Sequence, residues 1–397
     1  MTSRYEEIDT MLRRAEMDDA ANAIQALLSE NAKDAEALVL NARLLGASGK
    51  ADEALTNLEQ ALMIDQTHVQ ARIYKAANLY DGGQHDEAET LIRAVVKEDA
   101  NAHAAWFNLA RIEARKDNFT EALSALDSAL KIDASNAHYL FAKSSMLEAL
   151  NREQEAFDTL KASIEANPKL EQGWYVLSGW LLEMGQAQEA LDNLEQAVQL
   201  VAPSDGLVEL LGRAAVEAGQ PEKAAKVFEA MLEAHQENPG VWFNYGAANL
   251  AAENYAEAEK AFRKTIALDP NDVDAVHELA NLISLADEPE AQKEAEELLQ
   301  QVIQKADNSW EAHNDLGRLY LSSADPAQKE AGLRSFEKAV EISGNDPLVV
   351  FNLALASAEL DDLERARKIC DDLTSGAETP EEIKERASEL KASLVQA

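Results

Sequence analysis

An all-α solenoid of about eleven two-helix repeats, followed by a capping helix, is the fold this sequence predicts, and three observations predict it. The composition is helical: Ala, Glu, Leu, Gln and Lys abound, while Pro (9 of 397 residues) and β-branched residues are sparse. A shift of 34 residues lays the chain over itself along most of its length. Two further columns of fixed residue size keep the same period.

The first column is Ala20, Ala54, Ala88, Ala122, Ala156, Ala190, Ala224 and Ala258. It continues as Ala295, Gly332 and Ala366, where steps of 37, 37 and 34 mark two three-residue insertions. Eleven units result. Twelve residues earlier in the regular units stands a second small column: Ala42, Ala76, Ala110, Ser144, Ser178, Gly212, Gly246, Ala280, Gly317 and Ala354, with Ile8 the one departure. Four residues after the first column comes an apolar one: Ile24, Leu58, Ile92, Leu126, Leu160, Leu194, Phe228, Phe262, Leu299, Phe336 and Cys370.

Each unit thus reads as helix A, a turn and helix B. In helix A, Trp106, Leu109 and Ala110, or Trp242, Tyr245 and Gly246, recur at spacings of three and four and form one apolar stripe. Helix B does the same with Ala122, Leu126 and Ala129. Gly49, Gly83, Gly185 and Gly219 supply the residue that ends helix A in a left-handed turn. The small columns follow from contact distance: where antiparallel helices cross, Gly, Ala or Ser lets the backbones approach. A bulky residue at Ala122 or Ala258 should cost about 1–3 kcal/mol through overpacking.

The combination of Trp242, Tyr245, Gly246, Tyr255, Ala258, Phe262, Asp269 and Pro270 at this period resembles the tetratricopeptide repeat. Trp106, Leu109, Ala110, Phe119, Ala122, Leu126, Ala129 and Asp133 repeat it. The resemblance covers residues 1–380, with units starting near residues 1, 35, 69, 103, 137, 171, 205, 239, 273, 310 and 347. The unit-final Pro survives only as Pro168 and Pro270, which touches the turns and not the stacking. Residues 381–397 place Ile383, Ala387, Leu390 and Leu394 on one face, as a capping helix would, and Arg4 and Glu7 give the first unit a polar outer side. Pro203 is expected to change the curvature between the sixth and seventh units without starting a new domain. No length is left for a catalytic fold.

Charge excludes whole classes of partner. With 73 acidic and 36 basic residues the net charge is −37, spread along the chain, so the average field repels nucleic acid and anionic membranes. No run approaches the roughly 18 apolar residues that span a bilayer, and the first residues, MTSRYEEIDTMLRRAEMDD, lack the apolar run of a signal peptide. The single cysteine, Cys370, excludes an internal disulfide framework. These features together predict a cytoplasmic protein.

The sequence shows no catalytic residue, metal site or cofactor motif. The seven histidines, His68, His85, His103, His138, His235, His277 and His313, stand singly, without the spacing a transition metal requires. Cys370 holds a core position in its column, and DPNDVDAVHE at 269–278 reads as an inter-repeat turn with a helix cap. A glycine-rich phosphate loop is absent. The reading is therefore of a protein that is not an enzyme.

What remains is surface. In a stack of this kind the inner wall is built by helix A residues outside the packing columns. One row there is aromatic or apolar: Ile73, Phe107, Phe141, Tyr175, then Phe243 and Phe351. Beside it lie Tyr74, Tyr80, Asn108, Asn244, Asn352 and the cations Arg43, Arg111 and Arg115, against Glu36, Asp81, Glu148 and Glu183. Two readings stay open: ligand anchors, or additional core between successive A helices. As anchors, Tyr74, Phe107, Asn108, Arg111, Arg115, Phe141, Tyr175, Phe243 and Asn244 would line a groove for a peptide segment or helix of a partner protein. Later units, with Glu209, Glu217, Asp274, Glu278, Glu311 and Asp315, would favour basic or polar ligands. The clamp with which chaperone-tail binders of the family hold a terminal carboxylate is not matched: His277 with Asn281 is followed by Asp315, then by Leu348 with Asn352. The expected function is a scaffold or adaptor that binds protein; the alternatives are a self-associating homo-oligomeric scaffold and a regulatory subunit of an enzyme complex. The insertions, near ADEPEAQKEAEELLQ and SADPAQKEAGLRSF, should lengthen a surface helix by about one turn.

Overall fold

The computed structural model describes residues 3–286 and 288–394, and these form 23 helices and no strand. Residues 395–397, the end of the expected capping segment, lie outside the described residues. The helices are α1 (Arg4–Arg13), α2 (Met17–Glu30), α3 (Ala35–Ala47), α4 (Ala51–Ile64), α5 (Val69–Asp81), α6 (His85–Glu98), α7 (His103–Arg115), α8 (Phe119–Ile132), α9 (Ala137–Ala149), α10 (Glu153–Ala166), α11 (Glu171–Glu183) and α12 (Ala187–Leu200). They continue as α13 (Asp205–Glu217), α14 (Pro221–Leu232), α15 (Pro239–Ala251), α16 (Tyr255–Leu268), α17 (Val273–Ile283), α18 (Pro289–Lys305), α19 (Trp310–Leu321), α20 (Pro326–Ile342), α21 (Pro347–Glu359), α22 (Leu363–Ser375) and α23 (Glu381–Ser393). Odd-numbered helices take the A role and even-numbered ones the B role. Packing divides the chain into two compact units, residues 1–185 with 192–203, and residues 186–191 with 204–397.

The size columns are the contact between A and B. A methyl group added to Gly212, Gly246 or Gly317 would meet the ring of Phe228, Phe262 or Phe336 at 2.8 Å or 3.0 Å for the last two and 2.3 Å for the first. Where the third column holds Leu or Ile, the second holds Ala or Ser in every unit after the first, as in Ala76 with Ile92 or Ser144 with Leu160, while the first pairs Ile8 with Ile24. All these residues are buried. The largest ring thus faces the smallest residue, glycine, as close packing demands. Cys370 is buried in the same column and its thiol is pushed up by burial.

The A helices end on a left-handed residue except α17 and α19, the two that precede the insertions, whose C-caps Ser284 and Ser322 stay right-handed. Gly49, Gly83, Gly185 and Gly219 have φ between 71° and 83°, as their type predicts. The same geometry recurs, one period away, at Ala15 (59°), Asp117 (60°), Asn151 (55°) and Glu253 (60°), where the sequence gives weaker or no notice of it. Five B helices, α2, α4, α6, α10 and α16, turn into the next A helix through an Asx turn: Asn31, Asp65, Asp99, Asn167 and Asp269 each accept the backbone N–H two residues on, at 2.9–3.1 Å. In DPNDVDAVHE, Asp269 makes that turn and Asp272 caps α17 by accepting from Ala275 N–H at 2.9 Å.

The insertions become helix. α18 and α20 run 17 residues against 14 in α16, each starting on a proline at its first position. The added turn of α18 is secured by Gln292, whose amide donates to the carbonyls of Ser284 (2.9 Å) and Ala286. At the far end α23 packs on α22 and α21 with Ile383, Ala387 and Leu394 buried. Lys391 pairs there with Asp371, and Arg367 donates to the Leu394 carbonyl.

Candidate functional site

Within the first unit the A helices α1, α3, α5 and α7 touch in sequence; within the second, α13 touches α15, and α19 and α21 touch in turn up to α23. Among the described residues no pair of B helices makes comparable contact. The A helices therefore line one wall in each unit.

In the first unit the wall carries aromatics and arginines, and the charges of Arg43 and Arg111 are already met. Arg43 pairs with Asp9, and its guanidinium lies 5.4 Å from the centre of the Tyr74 ring. Tyr74 is half-buried and burial raises its phenol. Arg111 donates to Asp81 Oδ1 at 2.8 Å and lies 4.6 Å over the Tyr80 ring, whose hydroxyl donates to the Arg111 carbonyl at 3.3 Å. Asn108 returns its amide to the Ala104 carbonyl at 2.9 Å and is 3.4 Å from an Arg111 nitrogen. Phe107 is half-buried and stacks on Tyr139 with ring centres 4.9 Å apart at 28°. Burial raises the Tyr139 phenol to about 12, and its hydroxyl sits 2.8 Å from His103 Nδ1. Phe141 is half-buried, Arg115 is exposed, and Tyr175 is 48% exposed.

Not every member of the expected row reaches the surface. Ile73 (2% exposed) and Phe351 (4%) belong to the core: Ile73 packs among Ala88, Ile92 and Leu109, and Phe351 lies with Cys370 and Ile383 beneath Arg386, whose guanidinium is 4.6 Å from the ring centre. Phe243 is half-buried at 5.8 Å from the Phe262 ring, with Asn244 half-buried beside it. The second unit's wall is instead polar. His277 Nε2 lies 2.9 Å from Asp315 Oδ2, Arg318 reaches Asp315 Oδ1 at 3.2 Å, and Asn352 donates to Asn314 Oδ1 at 2.8 Å. The hydrogen bond to Asp315 raises the His277 imidazole by more than burial lowers it. Burial pushes the Asp315 carboxyl up, but His277 and Arg318 outweigh it and the group sits below its ordinary value. Burial raises the neighbouring Glu278 carboxyl, with Asp315 and Asp274 adding to the effect.

Two groups important to the wall escape the sequence reading. Asp9 stands one period before Arg43, so opposite charges on adjacent rungs of one column were a usable signal. Tyr139 occupies a position that is Ala37, Ala71 and Ala105 in earlier units, a size anomaly of the same kind.

The model of the family described as Tetratricopeptide repeat matches residues 74–137, 118–171 and 209–273. The chain is a tetratricopeptide-repeat protein. Its repeats are similar, at 28% identity over 181 residues, to the DnaJ homolog subfamily C member 7 homolog of Schizosaccharomyces pombe, covering 42% of this chain and 38% of that one. They are also similar, at 27% identity over 129 residues, to human Protein O-mannosyl-transferase TMTC1, covering 32% of this chain and 15% of that one. The chain thus matches well under half the length of these curated relatives. Among solved structures, that of YrrB, a TPR protein with an unusual peptide-binding site, aligns with a TM-score of 0.42 at 22% identity, over 47% of this chain and 96% of that one. In this tetratricopeptide-repeat protein no described helix is long and apolar enough to cross a membrane.

Proposed function

We propose that the chain is a non-catalytic, cytoplasmic scaffold that holds an extended or helical segment of a partner protein on the A-helix wall of its first unit. The observation that carries this is Tyr175: a large aromatic left 48% exposed, one period after Phe141 and two after Phe107, both of which are half-buried. Aromatics with one face packed and the other open suit an anchor, since little side-chain freedom is lost on binding. Asn108 and Arg111 share α7 with Phe107 and keep donors beyond those given to Ala104 and Asp81, able to meet a peptide backbone or a carboxylate.

The test is the double substitution Phe107→Ala and Phe141→Ala, with folding checked by circular dichroism. Partners captured from a lysate are compared with those of the wild type by mass spectrometry. The specific set should be lost from the folded double variant; an unchanged set refutes the assignment.

A further inference from the structure

The twelfth residue of helix A is large in several repeats, as Tyr80, Leu182 and Leu250, each packed or buried, and small in α7 and α21, as Ala114 and Ala358. In α3 that residue is Gly46, and a methyl group built there meets nothing within 4 Å. Its surroundings are small as well, with Ala47, Ala51 and Ala77 nearby. A cavity of about 760 Å³ results, floored by Leu55, Leu58 and the Tyr74 ring. That volume falls in the range of about 300–1,000 Å³ typical of ligand sites. Its wall is braced where Asn78 donates to the Ala51 carbonyl at 3.3 Å.

The rim decides the sign of the occupant. Arg43 is met by Asp9, and Asp81 by Arg111, whereas Asp52 is an exposed carboxylate in the first turn of α4. The rim and the protein as a whole, at −37, therefore favour a cation beside an apolar group. Tyr74 and Arg43 also belong to the wall described above, so the cavity opens onto the surface where a partner segment would lie.

We propose that this cavity receives two apolar side chains from one turn of a partner segment whose adjacent turn carries Lys or Arg. The proposal rests on the reading of the wall as a partner-binding face and names the chemistry of the segment that it takes.

Fluorescein-labelled peptides on an Ala/Ser host serve as probes, with two Leu at i and i+4 followed by two Lys, and with Leu replaced by Ala or Lys by Glu. Anisotropy titrations at about 0.15 M salt should show the Leu/Lys peptide binding about tenfold tighter than either control. Gly46→Leu plugs the cavity where there is room for it, and should weaken the Leu/Lys peptide by about tenfold; Asp52→Lys should reduce its preference over Leu/Glu. Circular dichroism checks the variants, and the Ala/Lys control needs no variant at all. Equal binding of Leu/Lys and Ala/Lys peptides would mean only attraction to an acidic surface and overturns the proposal, as does full affinity in folded Gly46→Leu. The Phe107→Ala, Phe141→Ala protein separates the two readings. If it binds the Leu/Lys peptide as wild type does while Gly46→Leu does not, the cavity stands and the aromatic wall fails; the reverse pattern sinks the cavity alone.

Discussion

Gly246 and Phe262 show how a single side chain sets the spacing of a repeat. The ring occupies the space a Cβ would need, at 2.8 Å, so glycine is required there for as long as phenylalanine faces it. Gly246→Ala should destabilise the protein by about 1–3 kcal/mol through overpacking. Phe262→Leu should cost a similar amount, about 1–3 kcal/mol, through the void it leaves. Together they recreate the Ala/Leu pairing of Ala110 and Leu126, so the double variant should be more stable than the sum of the single effects implies. Urea melts of the four proteins measure the coupling; strict additivity would show that the columns do not pack against each other. The left-handed helix ends obey a looser rule. Asn151 and Asp117 are types that visit this region, but Ala15 and Glu253 are not, and the next residue closes the turn over each, Glu16 N–H donating to the Met11 carbonyl and Asn254 N–H to that of Asn249.

Between elements, polar links replace apolar packing where the second unit's wall changes character. His277 joins α17 to α19 through Asp315, and Asn352 joins α21 to α19 through Asn314. The imidazole is raised in the folded state, so its contribution is complete below the unfolded value of about 6.5 and fades as pH rises through the folded one. Asp315, held low, stays charged throughout that window. His277→Gln should therefore lower the melting temperature more at about pH 6 than at about pH 8.5. Thermal scans at both values check this, and an equal loss would mean that the link acts as a neutral hydrogen bond only. Trp106 and Trp242 offer another solution to the same joining problem, each donating its indole N–H to a carbonyl of the preceding turn, Ala100 at 2.9 Å and Gln236 at 2.8 Å. Arg72 stands at the equivalent position of α5 and pairs instead with Glu98 at the end of α6.

For the whole molecule the dominant electrostatic fact is its charge of −37. Surface ion pairs such as Arg152 with Glu155 contribute little, because solvent screens both partners. Repulsion among the excess carboxylates acts over a Debye length, which is about 30 Å at 0.01 M salt and under 10 Å above 0.1 M. Raising NaCl from about 0.01 M to about 0.5 M should therefore increase the melting temperature by roughly 2–6 °C. Calorimetry tests it, and a decrease would show that ion pairing outweighs repulsion. Light scattering over the same series examines self-association, since screening removes the barrier that this charge sets between copies.

The sequence by itself determined the period, the pairing of helices, the glycines that close four of them and the small columns where they cross. Each of these depends on contacts that recur at a fixed chain separation, and recurrence is visible in one dimension. Only the tertiary structure decided which members of the aromatic row are open. Ile73 and Phe351 are core while Tyr175 is exposed, although all three sit at the same helix position. The difference lies in what the neighbouring rungs and α23 place over each side chain, and no repeat carries that information about itself. The same holds for Gly46: a glycine in a helix is legible, but the space around it depends on four other helices.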